Sequence, residues 1–328
     1  MKPKPPSLQE TQGDSPCDAS AGRQSISDEA FFGPEFAGAA TYSDRVHMKI
    51  STRFTTLVGC NAPLQLAAMG GVGTPELAEA VVAAGGLGMV PGLPATRGAC
   101  GVNFLVPFAP DLDTIVETAT TARVVEFFYG DPAQAFVQAV HRGGSIAGWQ
   151  VGSVDEAGAA QDAGCDYVVA QGIEAGGHVR GGQPLTEVLA GVRAAVRVPV
   201  VAAGGVATAQ RFAHLMAMGA DAVRVGTRFV TSPESGAHPD YVAALLKAGR
   251  DDTVLTEWFD EGWPEAPHRV LRVAVERAKQ TGWRATVPPY RGIERSPEDM
   301  AMYAGLGVGD VTASLPAAEV VEDLLQLL

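Results

Sequence analysis

The sequence predicts a (β/α)8 barrel with a C-terminal helical insertion or lid and a disordered N-terminal tail. From Asn61 onward, short apolar runs alternate with helix-patterned segments of about 10 to 15 residues. That is the pattern of parallel βα units, because a parallel strand covered on both faces reads as a continuous apolar run. The runs number eight. Eight such strands close on themselves, whereas a doubly wound open sheet usually needs about five or six. The chain, at 328 residues, also exceeds the roughly 250 that such a barrel occupies.

Residues 1–47 are rich in Pro, Ser, Gly and acidic groups, hold no sustained period of 2 or 3.6, and are read as a tail outside the fold. Met48 opens the run Met48-Lys49-Ile50-Ser51-Thr52-Arg53, a candidate start of translation, and residues 48–328 form the barrel domain. The strand candidates are Pro63–Ala67, Leu87–Val90, Val102–Val106, Val124–Phe128, Ile146–Val151, Tyr167–Gln171, Val198–Ala203 and Ala222–Gly226. One junction recurs at Ala83–Val90, Asp162–Val169 and Ala217–Arg224, where a helix ends on Gly and a strand follows. Helix starts are marked by Thr74 before Pro75, by Ser153-Val154-Asp155-Glu156 as a capping box, and by Thr208. Beyond the eighth strand, helical patterns cover Tyr241–Ala248, Arg269–Thr281 and Ala317–Leu327. The last would supply the final outer helix, and residues 232–298 would form a substrate-shaping insertion over the barrel mouth.

Composition narrows the function. A net charge of −13 repels phosphate backbones and anionic lipid, so no nucleic-acid or membrane partner is expected. Cys17, Cys60, Cys100 and Cys165 show neither paired nor zinc-type spacing, so neither a disulfide framework nor a structural metal is signalled, which suits a reducing cytoplasm. No apolar stretch reaches about 18 residues, and the N-terminus lacks the apolar core of a secretory signal. Assembly into a homo-oligomer is left open.

In barrels of this kind ligands bind at the C-terminal strand ends. The first strand ends in Met69-Gly70-Gly71-Val72-Gly73, which reads equally as a ligand loop or a tight turn. The seventh ends in Gly204-Gly205 and the eighth in Gly226-Thr227; loops at these two positions often hold phosphate on their backbone amides. Arg228 either adds charge there or makes a structural ion pair. The sixth strand runs into Gln171-Gly172-Ile173-Glu174-Ala175-Gly176-Gly177-His178, placing a histidine in a glycine-rich loop at the mouth. Such a side chain titrates near neutral pH and suits proton abstraction or stabilisation of an anion. His47, His141, His214, His238 and His268 are assigned solvated or structural roles. Trp258, Phe259, Trp263 and Trp283 either shape the pocket or form a satellite core.

Taken with Pro63-Leu64-Gln65, Gly101-Val102-Asn103-Phe104-Leu105-Val106-Pro107 and Gly226-Thr227-Arg228-Phe229 followed by Glu234–His238, these segments resemble the nitronate monooxygenase family over about Ala62 to Pro239. The resemblance implies non-covalent FMN, with Met69, Asn103, Gln150, Gln171 and Gly176 around the flavin. It sets Gly205, Arg224, Val225, Gly226 and Thr227, beside Gly204, at the phosphate. His178 matches the family's catalytic histidine, and Tyr303-Ala304-Gly305 its flavin-side tyrosine segment, although Leu306 stands where the family usually has Gln. The implied reaction takes a small-molecule alkyl nitronate, or a nitroalkane that His178 deprotonates, with O2 to a carbonyl compound and nitrite. The nearest rival is an FMN-dependent enoyl-acyl carrier protein reductase or NAD(P)H:quinone reductase. A nucleotide dehydrogenase would need a cysteine where His178 stands, and a catalytically silent flavin-binding module is the alternative outside enzymes.

Overall fold

The computed structural model describes residues 49–92 and 100–328; the expected tail, the Met48 start, Cys17 and His47 lie outside them. The chain opens with α1 (Arg53–Val58) and continues as β1 (Leu64–Leu66), α2 (Pro75–Ala83), β2 (Met89–Pro91), β3 (Gly101–Leu105), α3 (Leu112–Ala119), β4 (Val124–Phe128), α4 (Gln134–Gly143), β5 (Ile146–Val151) and α5 (Val154–Asp162). It goes on through β6 (Tyr167–Gln171), β7 (Gly177–His178), α6 (Leu185–Ala195), β8 (Val200–Ala203), α7 (Ala209–Ala217), β9 (Ala222–Val225) and α8 (Thr227–Val230).

Eight strands pair in parallel in the order β1-β9-β8-β6-β5-β4-β3-β2. A parallel bridge between Gln65 and Leu87 joins the two ends, so the sheet is a closed barrel. All eight expected strands are present, with ends moved by a few residues. Thr74, Ser153 and Thr208 each cap their helix by accepting an amide, from Leu77, Glu156 and Arg211. At Ser153 the expected reciprocal bond is displaced by one residue, because Glu156 accepts from the Gly152 amide instead. The main core lies between the strands and outer helices. At the opposite end from the strand C-termini, α1 plugs the lumen: Phe54 meets Tyr167 edge-on at 5.5 Å, and Arg53 pairs with Asp221.

After α8 come α9 (Pro239–Lys247), β10 (Thr253–Thr256), β11 (His268–Leu271), α10 (Arg272–Thr281) and α11 (Ala317–Leu325). The last packs against α2 and α7 as the final outer helix. The segment between them is mixed rather than purely helical. Residues 269–271, read from sequence as helix, are extended because β11 has an antiparallel partner on each side, β10 and β7. In the second pairing His268 lies opposite His178. The segment carries its own apolar core, including Tyr241, Leu245, Phe259, Val270 and Ala274.

Candidate active site

The eight strands point their C-terminal ends into a cavity of about 520 Å³, within the usual range for a small-molecule or cofactor pocket. Met69, Asn103, Gln150, Gln171, Gly176, His178, Gly204, Gly205, Arg224, Gly226 and Thr227 all line it. Val225 does not: its side chain is buried in the main core, and its carbonyl accepts the Ala67 amide at 2.8 Å.

One side of the cavity is made of backbone. Gly204 and Gly205 have φ of 131° and 65°, a region where a side chain is strained. A Cβ on Gly176 would stand 2.5 Å from the Gly305 nitrogen, and one on Gly305 would stand 2.8 Å from the Glu174 carbonyl. The loops after β6 and β8 and the 305–307 turn therefore approach main chain to main chain. The Gly305 amide also donates to the Thr227 hydroxyl at 3.0 Å.

His178 faces the cavity from β7 among aromatic rings. Trp263 stacks on it with centroids 3.9 Å apart, and Tyr129, Tyr303 and His268 stand at 5.8, 5.7 and 5.3 Å. Tyr129 reaches this position with φ of 65°, a strained conformation for a non-glycine residue. Burial, helped by the neighbouring His268, pushes the His178 imidazole down to about 3, so it is uncharged at neutral pH rather than titrating there. Its Nε2 is buried and has no hydrogen-bond partner among the described residues. The loop is held by Gln171: its side-chain amide nitrogen donates to the His178 carbonyl at 2.9 Å, and its oxygen accepts the Arg180 amide at 3.1 Å.

His268 is fully buried, the structural of the two roles expected for it. It accepts the Phe259 amide on Nε2 and therefore carries its proton on Nδ1, directed at the Ala266 carbonyl at 2.9 Å. Trp263 lines the cavity, whereas Trp258, Phe259 and Trp283 join the core of the C-terminal segment. Arg228 is structural: it donates to the Ala313 carbonyl at 2.9 Å and reaches Asp323 at 3.5 Å. Cys165 is buried, and burial pushes its thiol up to about 12, which keeps it protonated at neutral pH.

Beneath the cavity the lumen holds a polar network that sequence reading missed. Glu126, Gln65 and Tyr167 are fully buried and bonded to one another, and Glu126 also binds Asn103 and Arg224. A lone Glu in the apolar run Val124-Val125-Glu126-Phe127-Phe128 was its one visible signal.

A family model for nitronate monooxygenase matches residues 96–326. The chain belongs to the nitronate monooxygenase family. The nitronate monooxygenase of Pseudomonas aeruginosa is 30% identical over 84% of this chain and 99% of its own length. Among solved structures, FabK from Thermotoga maritima superposes with a TM-score of 0.71 at 29% identity, covering 85% of this chain and 96% of that one. The nitroalkane oxidase of Streptomyces ansochromogenes gives 0.66 at 30% identity over 83% of this chain and 96% of that one. As a member of the nitronate monooxygenase family the protein is a flavin-dependent oxidoreductase. Its residues fit a flavin: the glycine cradle admits a ligand at backbone distance, and His178, whose buried Nε2 has no partner among the described residues, lines the same cavity.

Proposed function

We propose that the protein binds FMN in this cavity and oxidises alkyl nitronates, or nitroalkanes after deprotonation, with O2 to carbonyl compounds and nitrite. The observation that carries this reading is the single cavity that His178 and the glycine cradle line together, with the buried His178 Nε2 lacking a partner among the described residues. In it Met69, Asn103, Gln150, Gln171 and Gly176 surround the ring, while the backbone of Gly204, Gly205, Gly226 and Thr227 holds the phosphate. When bound, FMN supplies the redox step. His178 supplies a neutral base within reach of the substrate's α-proton; once an anion forms, its charge raises the imidazole and favours keeping the proton. Trp263 stacks on the imidazole and Tyr129 meets it edge-on, which keeps the ring largely out of water.

Residues 232–298 shape the substrate space through Trp263, Thr286, Val287, Pro288 and Tyr290. With Leu105 and Phe108 they make an apolar mouth suited to an alkyl chain. The setting we propose is the cytoplasm.

The test is spectroscopic. Purified protein should be yellow and release FMN on denaturation. Anaerobic mixing with a nitronate should bleach the flavin, and NADH should not. Rapid bleaching by NADH with none by nitronates would replace this reading with the reductase one.

A further inference from the structure

An ion pair sealed inside a barrel is a costly way to fill it, since apolar residues of equal volume often stabilise as well or better. Glu126 on β4 and Arg224 on β9 nevertheless meet in the lumen with side chains 0% and 6% exposed. Glu126 accepts from Asn103 Nδ2 at 2.9 Å, Tyr167 Oη at 2.8 Å, Gln65 Nε2 at 3.2 Å and the Arg224 guanidinium. Arg224 donates in turn to Gln65 Oε1 at 3.2 Å and to Gln150 Oε1.

The chemistry of these two charges dictates the amides around them. A carboxylate has no proton to give and a guanidinium no lone pair to receive. Asn103 must therefore turn its NH2 to Glu126, and Gln150 must turn its carbonyl to Arg224. The opposite ends, Asn103 Oδ1 and Gln150 Nε2, have no partner among the described residues, and both residues line the cavity. The ion pair thus writes a fixed acceptor and a fixed donor onto the cavity wall.

We propose that Glu126 and Arg224 are positioning residues that set this donor and acceptor order for the imide edge of the flavin, where an N–H lies between carbonyl acceptors. The assignment rests on flavin binding in this cavity. Neither residue needs to touch the ring; each acts through the amide that it locks.

Flavin affinity and reduction potential test it, measured on apoprotein reconstituted with FMN. Glu126→Gln gives Asn103 a partner that can donate as well as accept, so the lock is released. FMN affinity should drop about tenfold or more, the scale of one lost and one opposed hydrogen bond. The potential and the visible flavin bands should shift with it, and Glu126→Asp should restore part of both. Gln150→Glu is the second variant: it keeps the bond to Arg224 and replaces the donor by an acceptor, with a similar loss expected. A lower melting temperature with unchanged FMN affinity, potential and spectrum in the folded Glu126→Gln or Gln150→Glu protein would overturn the proposal. Wild-type protein that takes up no flavin would instead overturn the functional reading beneath it.

Discussion

The imidazole of His178 and the indole of Trp263 lie 25° from parallel with centroids 3.9 Å apart. The stack covers one face of the imidazole and keeps water from it. Trp263→Ala should therefore rehydrate His178, move its titration up toward the ordinary value near 6.5, and lower turnover by about tenfold. Trp263→Phe should do less, because a ring remains. Histidine NMR titration of both variants checks the order.

The depressed His178 also predicts a pH dependence of stability. The folded imidazole titrates at about 3 and the unfolded one near 6.5, so between those values the unfolded chain binds the extra proton. This contribution is complete above about pH 6.5 and falls as pH drops through that window. Urea midpoints at pH 7 and pH 5 should differ less in His178→Asn than in the wild type. An equal difference in both would place the imidazole in water.

Gly176→Ala should cost about 1 to 3 kcal/mol, the usual penalty for overpacking, because the new methyl meets the Gly305 nitrogen at 2.5 Å. Gly182→Ala, with no atom within 4 Å of its Cβ, serves as the control and should stay within about 0.5 kcal/mol. Chemical denaturation separates the two, and FMN affinity should fall only in the first.

Gln171 grips the loop with both ends of its amide. Gln171→Glu keeps an acceptor for the Arg180 amide but opposes the His178 carbonyl with a second oxygen. If His178 is the base proposed above, turnover should fall more than KM rises, since its side chain is misplaced while the apolar mouth is intact. A change confined to KM would argue that Gln171 contacts substrate directly.

Arg228→Met should lower stability by about 1 to 2 kcal/mol through the lost bonds to Ala313 and Asp323. FMN affinity should be unchanged. A selective loss of FMN affinity would return Arg228 to the phosphate.

The eight barrel strands were legible because strands covered on both faces leave unbroken apolar runs, and the cavity-lining glycines and His178 were legible because the fold delivers strand ends to one mouth. The lumen network was not. Gln65 meets Glu126 and Tyr167 from positions 61 and 102 residues away, distances over which no local pattern speaks. Residues 269–271 were misread for a related reason: their period suits a helix, and the two neighbouring strands override it. Trp263 was visible only as one of four aromatics, and its separation from the other three into the cavity wall is a tertiary fact.

The two-residue strand β7 has a last consequence. His178 is hydrogen-bonded by its backbone into the ladder of β11, which is itself zipped to β10, while Gln171 ties the same residue to the barrel. Transient opening of that ladder and loss of a competent imidazole are then one event, so amide exchange in β10 and β11 should report how often the enzyme is idle.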